Sequence, residues 1–303
     1  LSAPRPREDR IAAGLLSMFC AVLFFTCIDT SAKWLTLAGL PVLQVVFARY
    51  FGHFVYAAII YLPQEGVEAF RSRAPVKQFF RSLFLFGSTV CNFFALQSLP
   101  ITVTTTIMFA GPVVVTLLAI PILGEKVGLR RIVAVCTGFL GVLVVIQPWG
   151  AAFHPAMLYS LAALVIASLY FIMTRMLAGV ETNATQQVWS AGLASVALAP
   201  FGLSVWVWPQ SNLQWLILCL IGLFGLAGHI LATTAHRWAD ASILAPIIYV
   251  QVFLAAFVGI VVFATWPTVW TLGGGLIIIA SGLYIWHRER RAAPPHTQAD
   301  RSS

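Results

Sequence analysis

Four stretches of this chain hold no Asp, Glu, Lys or Arg: Ser82 to Gly124, Ile132 to Thr174, Thr182 to His236 and Ala241 to His287. Each is about twice the ~20 residues that cross a hydrocarbon layer. Across the chain 60% of residues are hydrophobic and 9% charged, against roughly 25% charged in an ordinary soluble domain. Such a surface belongs in lipid, where the backbone must satisfy itself, so each run reads as a pair of membrane-crossing helices. Turn residues divide the runs near their middles, at Leu99-Pro100, Pro148 to Pro155, Trp208 to Asn212 and Thr265 to Pro267. A fifth pair comes first, about Ile11 to Leu37 and Pro41 to Leu62, parted at Gly39-Leu40-Pro41. The expected fold is an all-α integral membrane protein of ten transmembrane helices.

Sixteen of the eighteen Lys and Arg fall on one face of that arrangement. They are Arg5, Arg7, Arg10, then Arg71, Arg73, Lys77, Arg81, then Lys126, Arg130, Arg131, then Arg175, Arg237, and the tail from Arg288. The opposite connections carry none. Basic residues are retained on the cytoplasmic side of short loops, and an even number of crossings brings the chain back, so both termini are expected in the cytoplasm. The net charge of +8 is thus a topology signal. It is no nucleic-acid footprint, because no soluble basic domain presents it. The five cysteines all lie inside expected spans and read as small apolar residues. The first span is too long for a signal-peptide core and is expected to be retained.

The chain also overlays on itself. Residues 91 to 113 lie over 230 to 252 with the same order of span, connection and span. CIDTSAKWL from Cys27 lies over LYFIMTRML from Leu169, which sets Lys33 against Arg175. The repeat is about five spans, and an odd number inserts the second copy upside down. The expected organisation is a cytoplasmic tail over 1–10, a first five-helix repeat over 11–147 and an external linker over 148–154. An inverted second repeat over 155–286 and a disordered tail over 287–303 complete it. Inverted repeats hold substrate near the midplane and exchange conformations to open to either side.

The run FFALQSLPITVTTTIMFAGPVVVTLLAIPILGEKVG, Phe93 to Gly128, resembles the drug/metabolite transporter superfamily, EamA type. So do DTSAKWL, Pro41 and the FAR that ends at Arg49. The resemblance implies ten helices, alternating access and a central cavity, with members that export amino acids and others that take up vitamins such as riboflavin. Where the first half has Gly124-Glu125-Lys126 the second has Phe263-Ala264-Thr265, which makes Glu125 a helix-end residue at the inner surface.

Charges inside a span cost about 2.5 to 3.5 kcal/mol each, so those that remain face a cavity or one another. Asp29, Lys33 and Arg49 are the candidates. At 1.5 Å per residue Asp29, Arg49 and Asn92 each lie ~12 Å below the outer ends of their helices, hence level. Lys33 stands a turn from Asp29 and His53 a turn from Arg49, so an Asp29–Arg49 or Asp29–Lys33 ion pair is expected. That cluster reads as a structural bridge, a gate or substrate-headgroup site, or a proton-coupling site through Asp29. In the second half the candidates are His229, Tyr249 and Gln251, with Trp189 as an aromatic wall. Pro112 and Pro246 are expected to bend two helices and bare backbone at the cavity. Nine of the ten tryptophans sit near span ends, as an interfacial belt does. Gly222, Gly225, Gly228, Gly138 and Gly141 read as close helix packing.

No HExxH, GxSxG or Walker pattern occurs, so no enzyme, metal or cofactor is expected. The leading expectation is a secondary transporter in a bacterial inner membrane that exports amino acids or similar small amphipathic metabolites, with its coupling ion open. Riboflavin-like uptake and a non-transporting, lipid-binding scaffold are the alternatives.

Overall fold

A computed structural model describes residues 11–123, 129–150, 153–177, 180–239, 244 and 247–292. Residues 1–10 and 293–303, Glu125, Pro246 and part of the 148–154 linker therefore lie outside the described residues; the disordered tail expected from 287 is instead helical as far as Ala292, where the last helix runs on past its apolar span. The described chain is helical and holds no strand.

The helices are α1 (Ile11–Leu37), α2 (Val42–Glu65), α3 (Pro75–Ser98), α4 (Ile101–Met108), α5 (Gly111–Leu123) and α6 (Leu129–Ile146). After residue 150 come α7 (Met157–Met176), α8 (Asn183–Ser204), α9 (Asn212–Trp238), α10 (Val250–Phe263) and α11 (Val269–Ala292). With α4 and α5 counted as one broken crossing these make ten among the described residues. Among the described residues seven stretches are long and apolar enough to cross a membrane, α4 and α5 together being one of them; Ile132–Ile146 and Val250–Phe263 are shorter apolar helices. The remaining crossing, α8, has 22 residues but buries the polar Thr185, Gln187, Ser190 and Ser195.

Local chemistry sets the helix ends. Pro41 and Pro100 precede α2 and α4 and Pro75 opens α3, positions where a missing N–H costs nothing. The side chains of Thr182 and Ser211 accept the backbone N–H of Thr185 at 3.1 Å and Gln214 at 3.2 Å, capping α8 and α9. Large apolar side chains including Leu16, Ile59, Val196, Phe253, Phe257 and Val261 cover the outside. Lipid is the solvent that makes such a surface stable.

Helix pairing runs between the two halves. The main neighbours are α1 with α9, α3 with α7, α2 with α8 and α9, α6 with α11, and α4 with α10. Glycines allow two of these approaches. A Cβ on Gly222 would stand 2.7 Å from the backbone of Gly52, and one on Gly141 2.9 Å from the carbonyl oxygen of Gly274. The bend expected at Pro112 appears as a break over Phe109-Ala110, just before α5. A turn at Tyr249 starts α10. Those two breaks occupy matching places in the 91–113 and 230–252 overlay.

The end where α2 hands over to α3 carries Arg71, Arg73 and Lys77, and is called the basic end below. Here Glu181 Oε1 accepts from Ser72 Oγ at 2.6 Å and from the N–H of Ala74 at 2.9 Å. At the opposite end Gln44 grips Val207 twice, donating to its carbonyl at 2.8 Å and accepting from its N–H at 2.9 Å. Trp149, Trp208, Trp215, Trp266 and Trp270 are exposed. All five belong to connections or helix ends on that opposite side.

Candidate functional site

Five helices bring polar groups into the middle of the bundle: α1 supplies Asp29, α2 supplies Arg49 and His53, α3 supplies Asn92, α8 supplies Gln187 and α9 supplies His229. Asn92 Nδ2 donates to Asp29 Oδ1 at 3.0 Å, so these two stand level, as helix arithmetic predicted. Both remain partly accessible, as does His229. Behind them Arg49 is 5% and His53 1% exposed.

The expected ion pair is not formed. Among the described residues the ion pair is Arg71 with Glu68, at the surface. Lys33 turns away from Asp29, and its Nζ donates to the carbonyls of Leu96 at 2.8 Å and Leu99 at 2.7 Å. Those are end-of-helix carbonyls of α3, which have no partner within their own helix and sit at the negative end of its dipole. Lys33 is therefore a helix cap between α1 and α3, and it neither snorkels nor neutralises Asp29.

Arg49 finds no acceptor for Nε or Nη1. Its guanidinium carbon lies 4.5 Å from the ring centroid of Tyr50, which holds the plane by stacking. The Tyr50 hydroxyl is in turn fixed by Thr89 Oγ1 at 2.7 Å and the Leu85 carbonyl at 3.1 Å. His53 Nε2 meets Gln187 Oε1 at 3.1 Å, and its Nδ1 has no partner. The His53 and His229 rings lie 5.9 Å apart, and Phe25 stands edge-on to His229 at 5.3 Å.

A second buried guanidinium was missed by sequence reasoning. Arg81, counted there with the loop charges, lies six residues past Pro75 and is 4% exposed. Its Nε donates to Thr174 Oγ1 at 2.9 Å, Nη1 to Ser190 Oγ at 2.9 Å and Nη2 to the Tyr170 hydroxyl at 3.0 Å. It thus ties α3 to α7 and α8. The available signal was its depth, about 9 Å beyond the start of α3. Gln187 was also missed; its sequence neighbourhood, polar at both Gln186 and Gln187, resembles a helix end.

The other candidates lie apart. Trp189 Nε1 donates to the Phe70 carbonyl at 2.9 Å near the basic end. Tyr249 is buried against Phe109, ring to ring at 5.3 Å, beside the two helix breaks. Gln251 is half-buried in the first turn of α10. Pro112 opens the α5 stretch with Gly111, while Pro246 is outside the described residues. No group of three or more His, Cys, Asp or Glu side chains that would hold a metal occurs among the described residues.

The bundle interior thus gathers a carboxylate, a guanidinium and two imidazoles, of which Asp29 and His229 are partly accessible and Arg49 and His53 are buried. The profile of the EamA-like transporter family matches the chain over residues 12–147 and 154–286, so the chain belongs to that family. It is 26% identical over 87% of its length to an S-adenosylmethionine uptake transporter of Rickettsia prowazekii, 89% of which is covered. A riboflavin transporter of Brucella anthropi is 26% identical, over 90% of this chain and 98% of that one. A pseudopaline exporter of Pseudomonas aeruginosa is 24% identical, over 90% and 95%. A solved crystal structure superposes with a TM-score of 0.61 over 93% of this chain and 99% of its own, at 20% identity, and shares the fold.

Proposed function

We propose, with membership of the EamA-like transporter family as the premise, that this chain is a secondary carrier of a small cationic metabolite. Its two halves act as inverted repeats in a bacterial inner membrane. The basic end and both termini face the cytoplasm. The pairing of α1 with α9 and of α3 with α7 supports the symmetry, since a two-fold exchange of halves turns each pair into the other. Alternating access follows when the halves rock about the polar cluster.

The observation that carries the reading is Asp29: a carboxylate in the bundle interior, accessible, bonded to Asn92 and without an ion-pair partner. A carboxylate one helical turn from Phe25, whose ring stands edge-on to His229, favours a cation with a flat apolar part. S-adenosylmethionine fits, because it joins a sulfonium and an adenine to the amino-acid end already expected of the substrate. Relatives named for its uptake support that choice. Riboflavin is the second reading, favoured by the transporter of Brucella anthropi.

The test is counterflow into liposomes holding the purified protein, with labelled S-adenosylmethionine, riboflavin and a set of amino acids, run in both directions. Saturable S-adenosylmethionine exchange that Asp29→Asn abolishes bears the proposal out. Flux of riboflavin alone, indifferent to Asp29→Asn, replaces it with the second reading.

A further inference from the structure

Beside Arg49 and His53 the ninth helix leaves a space that its other glycines do not. A Cβ on Gly222 would meet Gly52 at 2.7 Å and one on Gly228 would meet Phe25 at 2.8 Å, so both are packing glycines. A Cβ on Gly225 would stand 3.4 Å from His53 Nδ1 and 4.0 Å from Arg49 Nε, which is ordinary contact. A single heavy atom at that point would touch His53 Nδ1 and come within 4.0 Å of Arg49 Nε, and both nitrogens are buried without a partner.

The two nitrogens differ in kind. Arg49 offers only hydrogens. Gln187 Nε2 reaches Asn183 Oδ1 at 3.4 Å, which orients its amide so that Oε1 faces His53 Nε2 at 3.1 Å and accepts. In the neutral imidazole Nε2 then carries the hydrogen and Nδ1 presents a lone pair. A donor that needs an acceptor and an acceptor that needs a donor therefore converge on the same gap. A simple anion would meet the Nδ1 lone pair, and a simple cation would meet the guanidinium. A carboxylate and an ammonium on adjacent atoms satisfy both.

We infer that Arg49, His53 and Gly225 form the seat for the α-amino-carboxylate end of the transported molecule, the carboxylate on Arg49 and the ammonium on His53 Nδ1. The inference rests on the carrier reading above and adds the chemical group that this site selects. Asp29 then takes the second cationic centre farther along the same substrate.

Binding to the purified protein in detergent tests the seat without requiring flux. The probes are S-adenosylmethionine and its decarboxylated form, L-methionine and its methyl ester, and riboflavin. The wild type is expected to bind each amino acid at least about tenfold more tightly than the partner lacking a free carboxylate. Arg49→Gln and Gly225→Ala are expected to bind the members of each pair equally, the second because its methyl group occupies the gap. Binding of methionine with this preference but not of S-adenosylmethionine upholds the seat and removes the adenosyl part of the carrier reading. Equal binding of S-adenosylmethionine and its decarboxylated form, or a preference that survives Gly225→Ala, overturns the seat and leaves the carrier standing. Binding of riboflavin alone overturns both.

Discussion

Two guanidiniums are buried in this protein to the same degree, Arg49 at 5% and Arg81 at 4% exposure, and their surroundings are opposite. Arg81 spends all three nitrogens on hydroxyls of Thr174, Ser190 and Tyr170 from two other helices. Arg49 has only the face of Tyr50, and leaves Nε and Nη1 empty. Burial alone does not distinguish a structural charge from a binding one; hydrogen-bond satisfaction does, because an unfilled buried donor is a standing cost that a ligand can remove. The same contrast separates Lys33, whose ammonium caps α3, from Asp29, which holds a single amide.

The largest effect expected from breaking this contrast is on stability. Arg81→Met removes three charge-assisted hydrogen bonds and takes from the Ser190 and Tyr170 hydroxyls their donor, while Thr174 keeps its bond to the Tyr170 carbonyl, so unfolding in detergent should lose about 3 kcal/mol or more. Arg49→Gln should leave the unfolding midpoint where it was and cut transport by about tenfold or more, a loss read as binding free energy of about 1.4 kcal/mol. Equal destabilisation by the two substitutions would erase the distinction.

Next in size is the helix crossing that frames the site. Gly222→Ala forces α2 and α9 apart at Gly52 and should cost about 1–3 kcal/mol. Gly225→Ala, one turn on and without that contact, should change stability by less than about 1 kcal/mol. Lys33→Met deletes the two bonds to the α3 carbonyls and should destabilise by about 1–2 kcal/mol, with transport of the folded fraction retained. The smallest expected change is Asn92→Ala, a severalfold rise in the substrate concentration for half-maximal flux with no change in melting temperature. A transport loss as large as that of Asp29→Asn would instead make Asn92 an equal partner in the site.

Much of the architecture was legible in one dimension. Charge-free runs, prolines at helix starts and the belt of tryptophans all act locally, so the crossings and most of their ends could be placed from order alone. The level of Asp29 and Asn92 was legible for the same reason, since rise per residue is constant. The break before Pro112 was too, because proline withholds the N–H that the ladder needs. The pairing of the charges was not. Spans that are apolar all round give hydropathy no preferred face, so nothing in the order of residues says which way a helix is rotated.

The sequence by itself thus determined a helical membrane protein, its crossings and the depth of its polar groups, each a matter of neighbours along the chain. Tertiary structure alone decided that Lys33 would turn to Leu96 and Leu99, that Arg81 would be enclosed by α7 and α8, and that Arg49 would be left facing a gap beside Gly225. The physical reason is that each partner comes from a distant helix. Whether a buried charge is satisfied depends on how those helices are rotated and how closely their glycines let them approach.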